Sequence, residues 1–318
     1  MSSATWFFGV LLFAGVCFAG ARYTDVQHWA MLVQGARPRW LLLALAAQCS
    51  TYLCMAFVWH ATLAETGSRL RLRTLFALSI AKLYSDQVLP SGGFSGAAFV
   101  VSAFTRRGIA SSTAFGVLIV TMLGYYAAYL AIDVVALVLL ALYQGLRPWT
   151  LAIALTFGIV AVIIPVSVLW IRRGAAYPRL LRLLPSRFAD LLQAFSKAPD
   201  ALVRNVRLVS ISTLLQTAIF VLDAATLWIM LHAIGQDSSF WIALPSFVLA
   251  SMVATLGPIP LGLGTFEATS VATLTALGTP IEGALAATLL LRGFTVWLPM
   301  VPGLLLTRGA LRGDVRAG

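Results

Sequence analysis

The chain has 318 residues, of which 60% are hydrophobic and 10% charged, with a net charge of +11 and a mean hydropathy of +0.92. Soluble domains carry about 25% charged residues, so this composition excludes a soluble globular protein and predicts an all-α, polytopic integral membrane bundle, whose spanning backbone satisfies its own hydrogen bonds. The basic excess does not point to nucleic acid, because eight of the 22 Lys and Arg residues fall between Arg172 and Arg207, the pattern of a cytoplasmic loop beside anionic lipid.

The first apolar segment covers 4–21. Ala19-Gly20-Ala21 resembles a small-residue cleavage site, but no Lys or Arg precedes the apolar stretch, so a retained first helix is expected. The next segment is 40–64. Two short ones follow, 74–88 and 95–105, flanking Leu89-Pro90-Ser91-Gly92-Gly93-Phe94. Segments 113–142 and 149–171 are each long enough to span, since about 20 residues suffice. In the loop 172–207, Phe188, Leu191, Leu192 and Phe195 recur at helical spacing with Ser186 as a cap. This predicts a short helix lying in the membrane interface, as an anchor or a lipid sensor. Segment 208–234 spans again. A second short pair, 241–256 and 265–278, flanks Gly257-Pro258-Ile259-Pro260-Leu261-Gly262-Leu263-Gly264, and 280–307 closes the series. Cys17, Cys49 and Cys54 all lie inside apolar runs, so neither a disulfide framework nor a metal site is suggested, and no cofactor is expected.

Proline and glycine interrupt helical hydrogen bonding at the centre of each short pair. Each pair is therefore expected to enter the membrane and return. With 172–207 in the cytoplasm and both hairpins re-entrant, Arg308, Arg312 and Arg316 fall in the cytoplasm, with Arg69, Arg71, Arg73, Arg106 and Arg107. The loops 143–148 and 235–240 fall outside, carrying only Arg147, while Arg22, Arg37 and Arg39 are mild exceptions in an outside loop. The expectation is six full spans plus two re-entrant hairpins, with both termini cytoplasmic. The units 40–142 and 208–307 then run oppositely through the membrane, joined by 143–207. Inverted repeats with broken helices in matching positions are a sequence pointer to a transporter's central site; simple packing devices are the alternative.

Ionisable groups at membrane depth cost about 2.5–3.5 kcal/mol each on insertion scales, so each asks for a reason. Lys82 and Asp86 are four apart on the first hairpin, about 12 and 18 Å along it, and can pair on one face. Arg292 is near the middle of its span with no acidic residue within a turn, so its partner comes from another helix or a ligand. Glu267 falls in the first turn of the returning half-helix, where a carboxylate suits the helix dipole. Asp133 and Asp223 lie in flanking spans as candidate partners of Arg292 or Lys82, and Asp86, Glu267 and Asp223 are candidate proton carriers. Guanidinium suits a phosphodiester, and Gly92, Gly93, Gly262 and Gly264 leave backbone N–H groups open. These residues form the candidate substrate site; a structural bridge from Arg292 to Asp223 or Glu267 is the alternative. Gly93-Phe94-Ser95-Gly96 and His232-Ala233-Ile234-Gly235 match intramembrane serine protease motifs, but the topology separates Ser95 from His232, and a nucleophile needs its base within reach.

The stretch Leu89 to Gly96 leading to Thr105-Arg106-Arg107-Gly108, and Pro258 to Glu267 followed by Gly278, Ala284, Leu290, Arg292 and Pro302-Gly303, resemble the signatures of one membrane family. It is the lysylphosphatidylglycerol synthase transmembrane (flippase-like) family, and the resemblance covers about 40–307. It implies movement of polar or charged lipids between leaflets of a bacterial plasma membrane, with Arg292 and Glu267 at the headgroup site. Phe94 stands where many members carry an acidic residue, and the soluble aminoacyltransferase domain of some members has no counterpart in the sequence. The expected protein is thus a non-enzymatic lipid flippase or transporter, alone or oligomeric. Its partners are a membrane lipid and a separate lipid-synthesising enzyme. The rival is a non-transporting accessory subunit of a lipid-synthesising or glycosyl-transferring enzyme.

Overall fold

The computed structural model describes residues 35–88, 94–145, 148–172, 195–257 and 260–312. The expected first span, Gly92 and Gly93, and most of the expected interfacial helix lie outside them. Among the described residues every regular element is a helix, and there are no strands. In chain order they form α1 (Pro38–Ala64), α2 (Leu72–Val88), α3 (Phe94–Thr105), α4 (Ser111–Gln144), α5 (Pro148–Arg172), the single turn α6 (Asp200–Val203), α7 (Val206–Ala233), α8 (Phe240–Leu256), α9 (Thr265–Ala276), α10 (Ile281–Arg292) and α11 (Leu298–Arg312). A 3-10 turn at Pro260–Gly262 precedes α9, and a π-helical segment, Gly293–Trp297, joins α10 to α11. Among the described residues five stretches are long and apolar enough to cross a membrane: α1, α4, α5, α7 and the continuous Ile281–Thr307.

Local chemistry sets the boundaries. Pro38 occupies the first turn of α1, where its missing N–H costs nothing. Asn205 caps α7 by accepting from the Leu208 N–H, and Ser239 caps α8 by accepting from Trp241. The short helices α2, α3, α8 and α9 have 17, 12, 17 and 12 residues. At about 1.5 Å per residue none of them reaches the ~30 Å of a hydrocarbon core with a helix to spare.

The centre of the bundle is the pair α1 and α7. The Arg37 N–H donates to the Ala233 carbonyl at 3.0 Å, and Gln48 meets Asp223 and Thr226. Residue numbers rise on one helix as they fall on the other, so the two run antiparallel. Around this pair α2 packs on α11 and α8 packs on α4. One apolar core gathers Tyr129, Phe157, Phe220, Leu227, Met230 and Leu291; a second gathers Trp59, Leu75, Leu78, Phe99 and Phe104 beneath the first hairpin. Lipid is as apolar as these side chains, so close backbone approach holds such helices together. Gly124 of α4 lies directly against Ser212 of α7, and Gly303 of α11 against Tyr84 of α2; a methyl group at either would collide. By contrast α5 sits at the edge and turns Leu155, Ile159, Val166 and Trp170 outward.

Of the expected interfacial helix only the end is described: Phe195 packs edge-on against Phe115 of α4 at 5.7 Å. Arg172 at the end of α5 donates to the Ala198 carbonyl at 2.8 Å and pairs with Asp200, tying this segment to the bundle.

Candidate functional site

The second hairpin turns at Leu261, Gly262 and Gly264, all with positive φ, at 60°, 61° and 85°. For the glycines this conformation is free; for Leu261 it is strained. Arg292, at the end of α10, supplies the compensation. Its Nη2 donates to the Leu261 carbonyl at 2.7 Å, and its Nε donates to Glu267 Oε1 at 2.7 Å. Its guanidinium carbon stands 5.1 Å from the Phe266 ring centroid, a cation–π distance. The other Glu267 oxygen accepts the Gly264 N–H at 2.6 Å. One carboxylate thus caps α9 and neutralises Arg292. Both side chains are largely buried, 11% exposed for Arg292 and 17% for Glu267.

The first hairpin has the same chemistry by a different route. Asp86 Oδ2 accepts from Lys82 Nζ at 2.8 Å, and Asp86 Oδ1 accepts the Gly96 N–H at 2.8 Å. Ser95 Oγ donates to the Ser85 carbonyl at 3.0 Å and also lies 3.4 Å from Asp86 Oδ1. Here the carboxylate comes from the entering arm and caps the returning one, α3. A Cβ at Gly96 would strike the Asp86 carboxylate and displace it from this position.

The two tips meet. Gln87, next in the chain to Asp86, donates from Nε2 to the Thr295 carbonyl at 3.2 Å. Thr295 lies within the π-helical segment, three residues beyond Arg292. Such bulges redirect backbone carbonyls that an α-helix would consume, and they recur at functional sites.

Of the residues expected at a substrate site, the structure brings together Arg292, Glu267, Gly262 and Gly264, and separately Lys82 and Asp86. Gly92 and Gly93 lie outside the described residues. Asp133 and Asp223 are not the partners of Arg292 or Lys82 that the sequence offered as candidates. Asp223 instead accepts from Gln48 Nε2 at 2.9 Å across the α1–α7 contact, because its face of α7 meets α1. Asp133 is 5% exposed on α4, with no hydrogen bond to Oδ1 among the described residues. Gln48 and Gln87 were missed by sequence reasoning, although a glutamine within an apolar run is a signal of the same kind as an intramembrane charge.

Ser95 and His232 make no catalytic pair. His232 Nδ1 lies 3.1 Å from the Trp228 carbonyl, its ring is wedged between Trp40 and Trp228, and Asp237 stands 3.8 Å from Nε2. Ser95 is engaged at the first hairpin tip. Among the described residues no three His, Cys, Asp or Glu side chains gather as a metal site.

No curated protein matches the chain significantly. The family model for the lysylphosphatidylglycerol synthase TM region matches residues 6–303, nearly the whole chain. The chain therefore belongs to the lysylphosphatidylglycerol synthase transmembrane-region family, and the matched residues include Arg292 and Glu267.

Proposed function

We propose that the chain is a lipid flippase, a non-enzymatic carrier that moves a polar or charged lipid between the leaflets of a bacterial plasma membrane. Family membership supports a membrane protein of lipid handling. The observation that carries the finer reading is the state of Arg292. Two of its nitrogens are held by Glu267 and Leu261, while Nη1 has no hydrogen-bond partner among the described residues. An arginine already neutralised and aimed, with donors to spare, can take a headgroup phosphate without first paying to orient itself. On the same helix stretch an open apolar groove of about 460 Å³ runs over Leu290, Gly293, Phe294, Trp297, Leu298 and Val301, and it suits an acyl chain.

In this reading α2–α3 and α8–α9 are re-entrant hairpins in an inverted repeat, and an N-terminal helix completes six spans. The antiparallel α1–α7 pair and the reciprocal packing of α2 on α11 and α8 on α4 support it. Both termini then face the cytoplasm. One unit rocking against the other would expose the tips alternately to each side, and the lipid itself would come from a separate synthesising enzyme.

The test is reconstitution of the purified chain in vesicles containing a fluorescent headgroup-labelled phosphatidylglycerol, with dithionite added outside. A flippase exposes the inner-leaflet probe, so quenching goes nearly to completion, and Arg292→Lys slows it. Quenching that stops at half, as in protein-free vesicles, refutes the reading. In that case co-purification with a lipid-synthesising or glycosyl-transferring enzyme would favour an accessory subunit.

A further inference from the structure

Within the long apolar helices, Asp223 and Asp133 take no part in the hairpin tips, and neither is paired with a Lys, Arg or His among the described residues. Asp223 of α7 is held by Gln48 Nε2, which also lies 3.0 Å from Thr226 Oγ1. Tyr52 of α1 and Tyr125 of α4 lie within its electrostatic reach. Asp133 is buried on α4, and Tyr129 lies within its reach one turn earlier. Tyr125, Tyr129 and Asp133 are spaced four apart, so they share one face of α4. That face meets α7: Tyr125 and Tyr129 have ring centroids 5.5 Å apart, and both pack on Phe220, at 5.6 and 4.5 Å.

The polar seam continues from Asp223 in the other direction. Gln216 and Ser212 lie two and three turns earlier on α7, each 1% exposed, and neither Gln216 Nε2 nor Ser212 Oγ has a hydrogen-bond partner among the described residues. Ser212 faces Gly124 of α4. A dry unpaired polar group costs about 1–3 kcal/mol. Gln216 Nε2, Ser212 Oγ and, at the far end of the seam, Asp133 Oδ1 are three such atoms, and together they mark a path for water. The other elements packed against this seam bring no charge to it. Neither α5 nor α8 carries a charged residue between Pro148 and Ile171 or between Phe240 and Leu256, and Arg292 of α10 is committed to Glu267. The Tyr129 hydroxyl is likewise buried without a hydrogen-bond partner among the described residues.

We propose that Asp223 is a proton carrier reached through this α4–α7 seam, so that lipid movement is coupled to the proton gradient, an inference that rests on the flippase reading above. A proton from the outer side protonates Asp133. The Tyr129 and Tyr125 hydroxyls pass it on, each donating its own proton as it accepts another, so both stay neutral. Asp223 receives it and later releases it to water along Gln216 and Ser212. Protonation removes the negative acceptor that holds Gln48, which loosens the α1–α7 contact between the two units. A metal cation would need several oxygen ligands, whereas the group that meets Asp223 is an amide nitrogen.

The experiment uses the full chain in vesicles that enclose a pH dye and carry fluorescent phosphatidylglycerol, with an inward proton gradient imposed in sodium-free buffer. Wild type is expected to take up protons and to drive the probe beyond an even distribution. Asp223→Asn and Asp133→Asn are expected to cut proton uptake about a hundredfold, the low end for a positioned proton-transfer group, while still letting the probe equilibrate. Tyr125→Phe keeps the ring packing and should slow uptake without changing the melting temperature. Lipid equilibration without proton uptake in wild type overturns the proposal and leaves the flippase reading standing. Proton uptake that depends on Asp223 without lipid movement supports the path and removes the flippase. Gradient-driven accumulation that survives Asp223→Asn, or that follows a sodium gradient instead, overturns the proposal.

Discussion

Replacing Arg292 by Gln removes a donor from the Glu267 carboxylate and another from the strained Leu261 carbonyl. Breaking a fully buried ion pair costs about 3–5 kcal/mol. Glu267 keeps its bond from the Gly264 N–H and is 17% exposed, so the lower end applies, and the freed carbonyl adds about 1 kcal/mol. The sum is about 4 kcal/mol, or a fall in melting temperature of roughly 8 °C at about 2 °C per kcal/mol for a large domain. Adding Glu267→Gln removes the orphaned charge and should restore about half of that. Melting by intrinsic tryptophan fluorescence measures the first quantity and dithionite-monitored lipid exchange the second. If Arg292 contacts the headgroup, the double variant regains stability but not exchange. Arg292→Lys, which keeps the charge without the planar fork, stays folded yet exchanges lipid slowly. Recovery of exchange together with stability in the double variant would refute the headgroup role and leave Arg292 a structural clasp.

Three further outcomes are expected. Gly293→Ala meets open space at a helical backbone position, so it should stabilise by about 0.5–1 kcal/mol; if the π segment must flex, lipid exchange slows while the melting temperature rises. Ser95→Ala should leave exchange within a few-fold of wild type, since Asp86 still caps α3 through the Gly96 N–H; total loss of activity in a folded variant would reopen a nucleophilic role. Single cysteines at Ser238 should label from outside intact cells, and at Thr307 only after permeabilisation; outside labelling at Thr307 would break the re-entrant topology.

The hairpins were legible because Pro90, Gly92 and Gly93, and then Pro258, Pro260, Gly262 and Gly264, punctuate otherwise apolar runs. The observed arms match the expected segments to within two residues or so at each end. That Arg292 needs a partner from beyond its own helix was legible too. The choice between Glu267 and Asp223 was not, because it depends on how the tip folds back against the end of α10, a tertiary contact without a local pattern. The π-helical segment was likewise invisible: Gly293-Phe294-Thr295-Val296-Trp297 reads as ordinary apolar helix, and the bulge is visible only beside Gln87.

The tips also say something about which unit should move. Each carboxylate satisfies one backbone N–H and one cation, so neither tip carries an uncompensated carboxylate. Asp86, however, bridges the two arms of its hairpin, whereas Glu267 joins only its own arm to α10. The first tip is therefore closed upon itself, while the second is fastened to a neighbouring helix by a clasp that a phosphate could compete for. A ligand that draws Arg292 away from Glu267 frees Leu261 from its compensating bond, and the strained turn can then relax. In the flippase reading, substrate binding would act directly at the second hairpin and reach the first only through Gln87. The Gln87–Thr295 bond is the point at which that movement would be felt by the other unit, so Gln87→Leu should leave lipid binding intact and slow exchange. Exchange at the wild-type rate in that variant would show that the two hairpins move independently.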